Sequence, residues 1–340
     1  MKQSAKQLAA QSGLRYVNDQ IPGFTRKKWC RGFTYLDLDG QHIDNQELRD
    51  RFEQLAIPPS RQNVWICPDE NGHLQATGRD AKGRKQYRYH PEWEKIRNQA
   101  KFDRLVPFGR ALSRIRQQTN SHLEVDGLPR EKVLALVVKL LEMTLIRVGN
   151  VAYAQANQSY GLTTLRSRHI TIEGHQVDFE FTGKSGVEHQ VALTDQRLAN
   201  IIKRCYEIPG YRVFQYLDDD GNHQKVDSED VNDYLRLITQ ADFTAKDFRT
   251  WAGTILTAQR LAEQETHIDT SLRKQQVKAA IEIAARQLGN RPATCRKYYV
   301  HPKVPEAYLT GELVTIMQST YSNIIYLDDY EFAVLKLLEI

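Results

Sequence analysis

Five positions along the 340-residue chain have types and surroundings suited to work on a phosphate. Arg147 stands in LIRVGN, at the close of a long apolar stretch. Lys184 stands in TGKSG, where the glycines allow a tight hairpin turn and the lysine projects clear of it. Arg249 stands in KDFRTWAGT, in the first turns of a helix, where backbone N–H groups and the dipole favour an anion. Asn290 shares LGNRPATCRKYYVHP with a tyrosine pair, Tyr298 and Tyr299. Two guanidinium forks grip nonbridging phosphate oxygens in a way that an ammonium cannot. A lysine at a hairpin tip is suited to giving a proton to a leaving oxygen. Tyrosine, with a reference pKa of about 10, is a poor nucleophile at neutral pH. Among such cations a phenol can be activated, and a pentacoordinate phosphorane stabilised, by side chains alone.

Each residue also has a plainer reading. Arg147 suits a helix-end cation facing water, and Lys184 an exposed hairpin lysine. Arg249 suits an ion pair with Asp247 or Asp242, and Asn290 an N-cap ahead of Arg291 and Pro292. Adjacent helical residues differ by about 100°, so only one of Tyr298 and Tyr299 can face the arginines.

Other chemistries are missing. There is no HExxH and no GxSxG, and Gly78 and Gly83 have Walker-A spacing but are followed by Arg84-Lys85 rather than Lys-Ser/Thr. No acidic cluster suggests a magnesium pair, so neither metal nor cofactor is expected. The four cysteines (30, 67, 205, 295) are scattered without a CxxC pair, which points to a reducing cytosol and no structural zinc. Cys295 is expected to be a small buried apolar residue. The longest apolar run, LALVVKLLEMTLI (134–146), is broken by Lys139 and Glu142 and is too short to span a bilayer. The N-terminus does not read as a signal peptide.

The elements that must position these residues fall into two parts. Residues 1–95 read as a small β-rich domain, with strands over 33–40, 64–78 (two strands about an Asn-Gly turn) and 85–90. Residues 96–340 read as mostly helical, beginning with a buried helix at 128–147 that Pro129 opens. A three-stranded sheet over 169–172, 176–181 and 188–193 interrupts them. Helices resume at 195–207, 229–240, 245–263, 271–288 and 292–299, the third with a capping box from Thr244 to Asp247. The expected class is α+β. Residues 311–340 are apolar enough for a packed C-terminal helix.

Charge is unevenly placed. The net charge is +5, and residues 79–104 alone carry nine Lys/Arg against four Asp/Glu. Tyrosines, a tryptophan and a histidine are interleaved with these cations, so a polyanion is the natural partner and a membrane surface is not.

The order Arg147, Lys184, Arg249, Asn290, Tyr299, in RVGN, GKSG, KDFRTWAGT and LGNRPATCRKYYVHP, closely resembles the type IB DNA topoisomerases of bacteria and poxviruses. The similarity spans about residues 20–310. GRDAKGRKQYRYH is similar to that family's N-terminal DNA-clamping domain, which implies contacts to double-stranded DNA from Arg79, Lys82, Arg84, Lys85, Gln86, Tyr87, Arg88 and Tyr89. Gln86, Tyr87 and Tyr89 match positions that poxviral members place in the major groove, where a glutamine reads adenine. The resemblance implies a 3′-phosphotyrosyl intermediate, a free 5′-hydroxyl, strand rotation and resealing, without ATP or a required metal. It implies a monomer clamping DNA in the cytoplasm, on the bacterial nucleoid. Because the helical domain alone would cover one face of a duplex, the β domain must come round the other side, and residues 91–105 are expected to be the hinge.

Residue by residue, Arg147 and Arg249 match the phosphate-binding arginines, Lys184 the general acid, and Lys246 a lysine that supports the second arginine or a neighbouring phosphate. Asn290 departs from the histidine that many members carry but matches bacterial ones; an amide can donate a hydrogen bond without carrying charge. Bacterial members read approximately RKSYVHP here, which makes Tyr299 the nucleophile, and Tyr299 lies nine residues after Asn290 as the family's separation requires. Two alternatives are a tyrosine recombinase and an architectural DNA-binding protein without enzymatic activity. Recombinases usually have histidine where Lys246 stands, and a helical N-terminal domain.

Overall fold

In the N-terminal part, short alternating runs pair into one antiparallel sheet. The computed structural model describes residues 5–264 and 269–340. The chain splits into two units, Met1–Lys101 and Phe102–Ile340. The first contains α1 (Ala5–Gln11), β1 (Phe24–Trp29), β2 (Gly32–Leu36), α2 (Gln46–Gln54), β3 (Gln62–Ile66), β4 (Leu74–Arg79), β5 (Lys85–Tyr89) and nearly all of α3 (Pro91–Phe102). The sheet order is β2-β1-β3-β4-β5. Its core is Tyr35, Ile43, Phe52, Val64, Ile66 and Ala76, with α2 contributing Phe52. β1 (FTRKKW) and α2 (QELRDRFEQ) escape a reading by apolar periodicity because each buries so little. Asn45 fixes the start of α2 by accepting from the Leu48 N–H.

Residues 91–105 form no extended connector. Pro91 opens a continuous helix, with Glu92 and Glu94 in its first turn and Lys101 in its last, which suits the helix dipole at both ends. Only Asp103 and Arg104 separate α3 from the next helix.

The second unit contains α4 (Leu105–Glu124), α5 (Arg130–Thr144), α6 (Val151–Asn157), β6 (Ile170–Glu173), β7 (Gln176–Thr182), β8 (Glu188–Thr194), α7 (Gln196–Glu207), β9 (Gln215–Leu217) and β10 (His223–Lys225). Then follow α8 (Ser228–Thr239), α9 (Ala245–Ala262), α10 (Thr270–Gln287), α11 (Pro292–Tyr298), α12 (Lys303–Thr310), α13 (Glu312–Ser319) and α14 (Asp329–Glu339). Strands β6, β7 and β8 form the antiparallel sheet expected from the sequence, and β9–β10 add a small ribbon. The fold is α+β. One hydrophobic core runs through this unit, with α5 buried from Lys132 to Val138 at its centre. The C-terminal stretch is two helices, and α14, with Phe332, Leu335 and Leu338 among its buried residues, packs on α4 and α9. Among the described residues, no helix is long and apolar enough to cross a membrane.

Candidate active site

α5 ends at Thr144, and Leu145 turns into the left-handed region with φ 56°. Arg147 therefore lies in a loop beyond the helix instead of closing it. That loop is pinned by the Leu162 N–H on the Arg147 carbonyl, at 2.9 Å, and the Thr163 N–H on the Val148 carbonyl, at 2.7 Å. Lys184 sits in the exposed turn between β7 and β8. Arg249 lies in the second turn of α9, whose start is fixed by the Asp247 carboxylate accepting from the Thr244 backbone N–H and hydroxyl. Asn290 follows the left-handed Gly289 at the end of α10. It does not cap α11, whose N-cap is Arg291. Tyr299 is the C-cap of that helix, one residue past its last turn.

The fold brings these residues together. Arg147, Lys184, Lys246, Arg249 and Tyr299 line one cavity of about 450 Å³, with Tyr153 and Tyr160. Arg147 Nη2 donates to Asn290 Oδ1 at 2.6 Å, which joins the sixth residue to the group. Only 4% of Arg249 is exposed. Its Nη1 donates to the Leu145 carbonyl and its Nη2 to the Leu288 carbonyl at 2.5 Å. Its guanidinium carbon lies 5.4 Å from the centre of the Tyr299 ring.

Among the described residues, no carboxylate pairs with Arg249. Asp247 and Asp242, its possible partners by sequence, are both taken by Arg104, at 3.1 and 3.7 Å. Burial and the charge of Arg147 push the Arg249 guanidinium down to about 10. Burial likewise lowers Arg147. Two half-dry cations side by side are costly unless an anion joins them.

Two buried donors at this cavity are open to a further acceptor. Among the described residues, Arg249 Nε and Asn290 Nδ2 have no hydrogen-bond partner. Because an arginine can only donate, its bond to Asn290 Oδ1 fixes the amide's orientation and leaves Nδ2 as the free donor. Buried donors without partners are rare in folded proteins and suggest a missing ligand. Among the described residues, no group of three or more His, Cys, Asp or Glu side chains is placed to hold a metal ion.

Several positioning residues carry no signal of their own in the sequence. Gly253 lets α9 pass close to the nucleophile candidate, since a methyl group there would lie 2.6 Å from the Tyr299 carbonyl oxygen. Thr254 donates to that same oxygen at 3.3 Å. Tyr298 is exposed, with the Lys297 ammonium 5.3 Å from its ring. The following His301 is turned inward, accepting at Nδ1 from the Lys303 N–H at the start of α12. Cys295 is fully buried, and burial pushes its thiol up to about 11.

Residues 90–313 match the family described as eukaryotic DNA topoisomerase I, catalytic core. Residues 32–80 match the bacterial DNA topoisomerase IB N-terminal domain. The DNA topoisomerase 1B of Acanthamoeba polyphaga mimivirus is 31% identical over 295 residues, which is 85% of this chain and 88% of that one. The chain belongs to the type IB DNA topoisomerases. Shorter similarities link it to DNA topoisomerase 1B of vaccinia virus (strain Copenhagen), 32% identical over 34% of this chain and 37% of that one. DNA topoisomerase 1 of rabbit fibroma virus (strain Kasza) is 26% identical over 48% and 55%.

In this type IB enzyme the basic strand of the first unit is less free than its composition suggests. β5 is an edge strand, and its alternation separates Lys85, Tyr87 and Tyr89 from Gln86 and Arg88. Tyr87 and Tyr89 stack with centroids 6.0 Å apart. Lys85 pairs with Asp19 at 2.5 Å, while Arg84 and Gln86 both reach Asp80. Arg88 donates to the Leu55 carbonyl and Arg79 to the Gly83 carbonyl. Lys82 is exposed in the β4–β5 turn. The eight residues share one hairpin but not one face.

Proposed function

We propose that this topoisomerase relaxes duplex DNA through a 3′-phosphotyrosyl intermediate on Tyr299, with Arg147, Arg249, Asn290 and Lys184 as its catalytic side chains. The observation that carries this reading is the pair of unpartnered buried donors, Arg249 Nε and Asn290 Nδ2, at a cavity that Tyr299 also lines. A scissile phosphate placed there receives both guanidinium groups and the amide on its nonbridging oxygens. The Tyr299 oxygen bonds to phosphorus as the phenol gives up its proton to water. The bond from phosphorus to the 5′-oxygen breaks, and Lys184 supplies that oxygen with a proton. The number of phosphoester bonds is unchanged, so resealing by the 5′-hydroxyl needs no ATP. Between the two steps the cut strand rotates about the intact one.

Lys246, exposed at the cavity edge, serves a neighbouring phosphate. The first unit adds duplex contacts from the β4–β5 hairpin, with Arg79, Lys82 and Arg88 on phosphates. The enzyme works as a monomer in the cytoplasm. Because Asn290 is neutral and already shared with Arg147, its contribution is smaller than that of either arginine.

The test is detergent trapping of a protein–DNA adduct, beside plasmid relaxation, both in EDTA. Tyr299→Phe is expected to lose adduct and relaxation, and Tyr298→Phe to keep both. An adduct from Tyr299→Phe, or an inactive Tyr298→Phe, defeats the assignment. A wild-type enzyme silent in EDTA defeats metal independence alone.

A further inference from the structure

His189 stands opposite Phe181 across the β7–β8 pair, and the two rings stack with centroids 5.0 Å apart and an interplanar angle of 7°. The other edge of the imidazole fills the space between two glycine backbones. A methyl group on Gly183 would come 2.5 Å from Cδ2 and 2.6 Å from Nε2; one on Gly289 would come 2.7 Å from Cε1. Gly183 immediately precedes Lys184. Gly289 immediately precedes Asn290, and its carbonyl accepts from Arg147 Nη2 at 3.4 Å. One ring thus touches the turn that carries the proposed general acid and the turn that carries the phosphate-binding amide.

Residues 184–188 are all exposed, so the hairpin tip takes its direction from what underlies Gly183. Burial and the charges of Arg147 and Arg249 lower the His189 pKa, so at neutral pH the ring adds shape without adding charge.

We propose that His189 is a positioning residue, a wedge between Gly183 and Gly289 that sets the reach of Lys184 toward the leaving oxygen. The proposal rests on Lys184 being the general acid. Small displacements at a reacting centre are costly: about 1 Å can lose on the order of a hundredfold in rate.

The test is single-turnover cleavage by the full-length protein on two duplexes with the same mapped cleavage site. One has ordinary DNA. The other has sulfur bridging the phosphorus and the 5′-carbon, and its thiolate leaves without needing a proton. His189→Ala is expected to slow cleavage of ordinary DNA by roughly ten- to a hundredfold, to cleave the sulfur duplex at the wild-type rate, and to bind DNA unchanged. Lys184→Ala is the reference. If sulfur rescues Lys184→Ala but not His189→Ala, the wedge does not act through Lys184 and the proposal fails, with the role of Lys184 intact. If sulfur does not rescue Lys184→Ala, both readings fall. A wild-type rate on ordinary DNA from His189→Ala also overturns the wedge.

Gly183→Ala guards against a folding artefact. Its φ of −94° suits any residue, so its obstacle is the His189 ring. It should slow cleavage alone yet add nothing to His189→Ala, because the two changes affect one contact. Additive losses in the double variant would refute the proposal.

Discussion

Asn290 shows what one side chain contributes at this site. Its Oδ1 accepts from Arg147 while its Nδ2 has no partner among the described residues, so in the proposed mechanism the two ends of the amide do different work. Asn290→Ala removes a neutral donor, and its cleavage rate should fall by less than the roughly 10²–10³-fold typical of a lost oxyanion-hole donor. Asn290→Asp keeps a tighter grip on Arg147 but sets a carboxylate against the phosphate. It should lose at least that much while melting no lower than wild type. Single-turnover cleavage and thermal melts on both variants check this; an Asp variant more active than the Ala variant would contradict it. Arg249 is legible as a chemical type in KDFRTWAGT, but its isolation is not. That depends on Arg104 holding Asp242 and Asp247, more than 130 positions away along the chain.

At the scale of elements, the site depends on how closely helices approach. Gly253 lies mid-helix, where alanine would ordinarily favour the helix by about 1 kcal/mol. Here its methyl group would strike the Tyr299 carbonyl, so Gly253→Ala should cut adduct formation by at least about tenfold while leaving noncovalent DNA binding in place. Normal adduct yield would show that the chain around Tyr299 yields easily. α14 braces the same helix. Glu331 Oε1 accepts from Trp251 Nε1 at 3.0 Å, and Oε2 pairs with Arg116 at 2.6 Å. Arg116 also pairs with Glu142 on α5. Removing one partner from a buried ion pair typically costs about 3–5 kcal/mol, so Glu331→Ala should lower the Tm by several degrees. An unchanged Tm would mean that solvent already screens the network. The apolar content of 311–340 announces packing, and only the structure shows that it reaches the helix of Arg249.

For the whole molecule, two dependences on conditions follow. If cationic side chains meet DNA phosphates in both units, log-log plots of binding against salt should fall with a slope near −0.9 per phosphate contact. Arg79→Ala or Lys82→Ala should each reduce that slope by about one; an unchanged slope removes that residue from the interface. Stability should depend on His169, which is buried and lowered to about 4 by burial and then by Arg168 and Arg166. Its folded pKa lies below its unfolded value near 6.5, so the unfolded chain binds more protons between those limits. Its contribution is flat above pH 6.5, turns unfavourable as pH falls through that window, and levels off near pH 4. His169→Gln should make the pH dependence of Tm shallower there, and an equal slope would exclude this origin.

The sequence by itself determined the chemistry: which residues could hold, cleave and protonate around a phosphate, and in what order. It also determined the α+β class and the three-stranded sheet, because strand alternation, helix period and capping are local signals. Tertiary structure decided the rest. It ended α5 before Arg147, turned Asn290 from a helix cap into a ligand of Arg147, and placed Tyr299 rather than Tyr298 at the cavity. It also paired much of the basic hairpin with Asp19 and Asp80. The physical reason is the same in each case. Burial, the pairing of charges and the close approach of backbones depend on residues distant in the chain, and no local pattern encodes those distances.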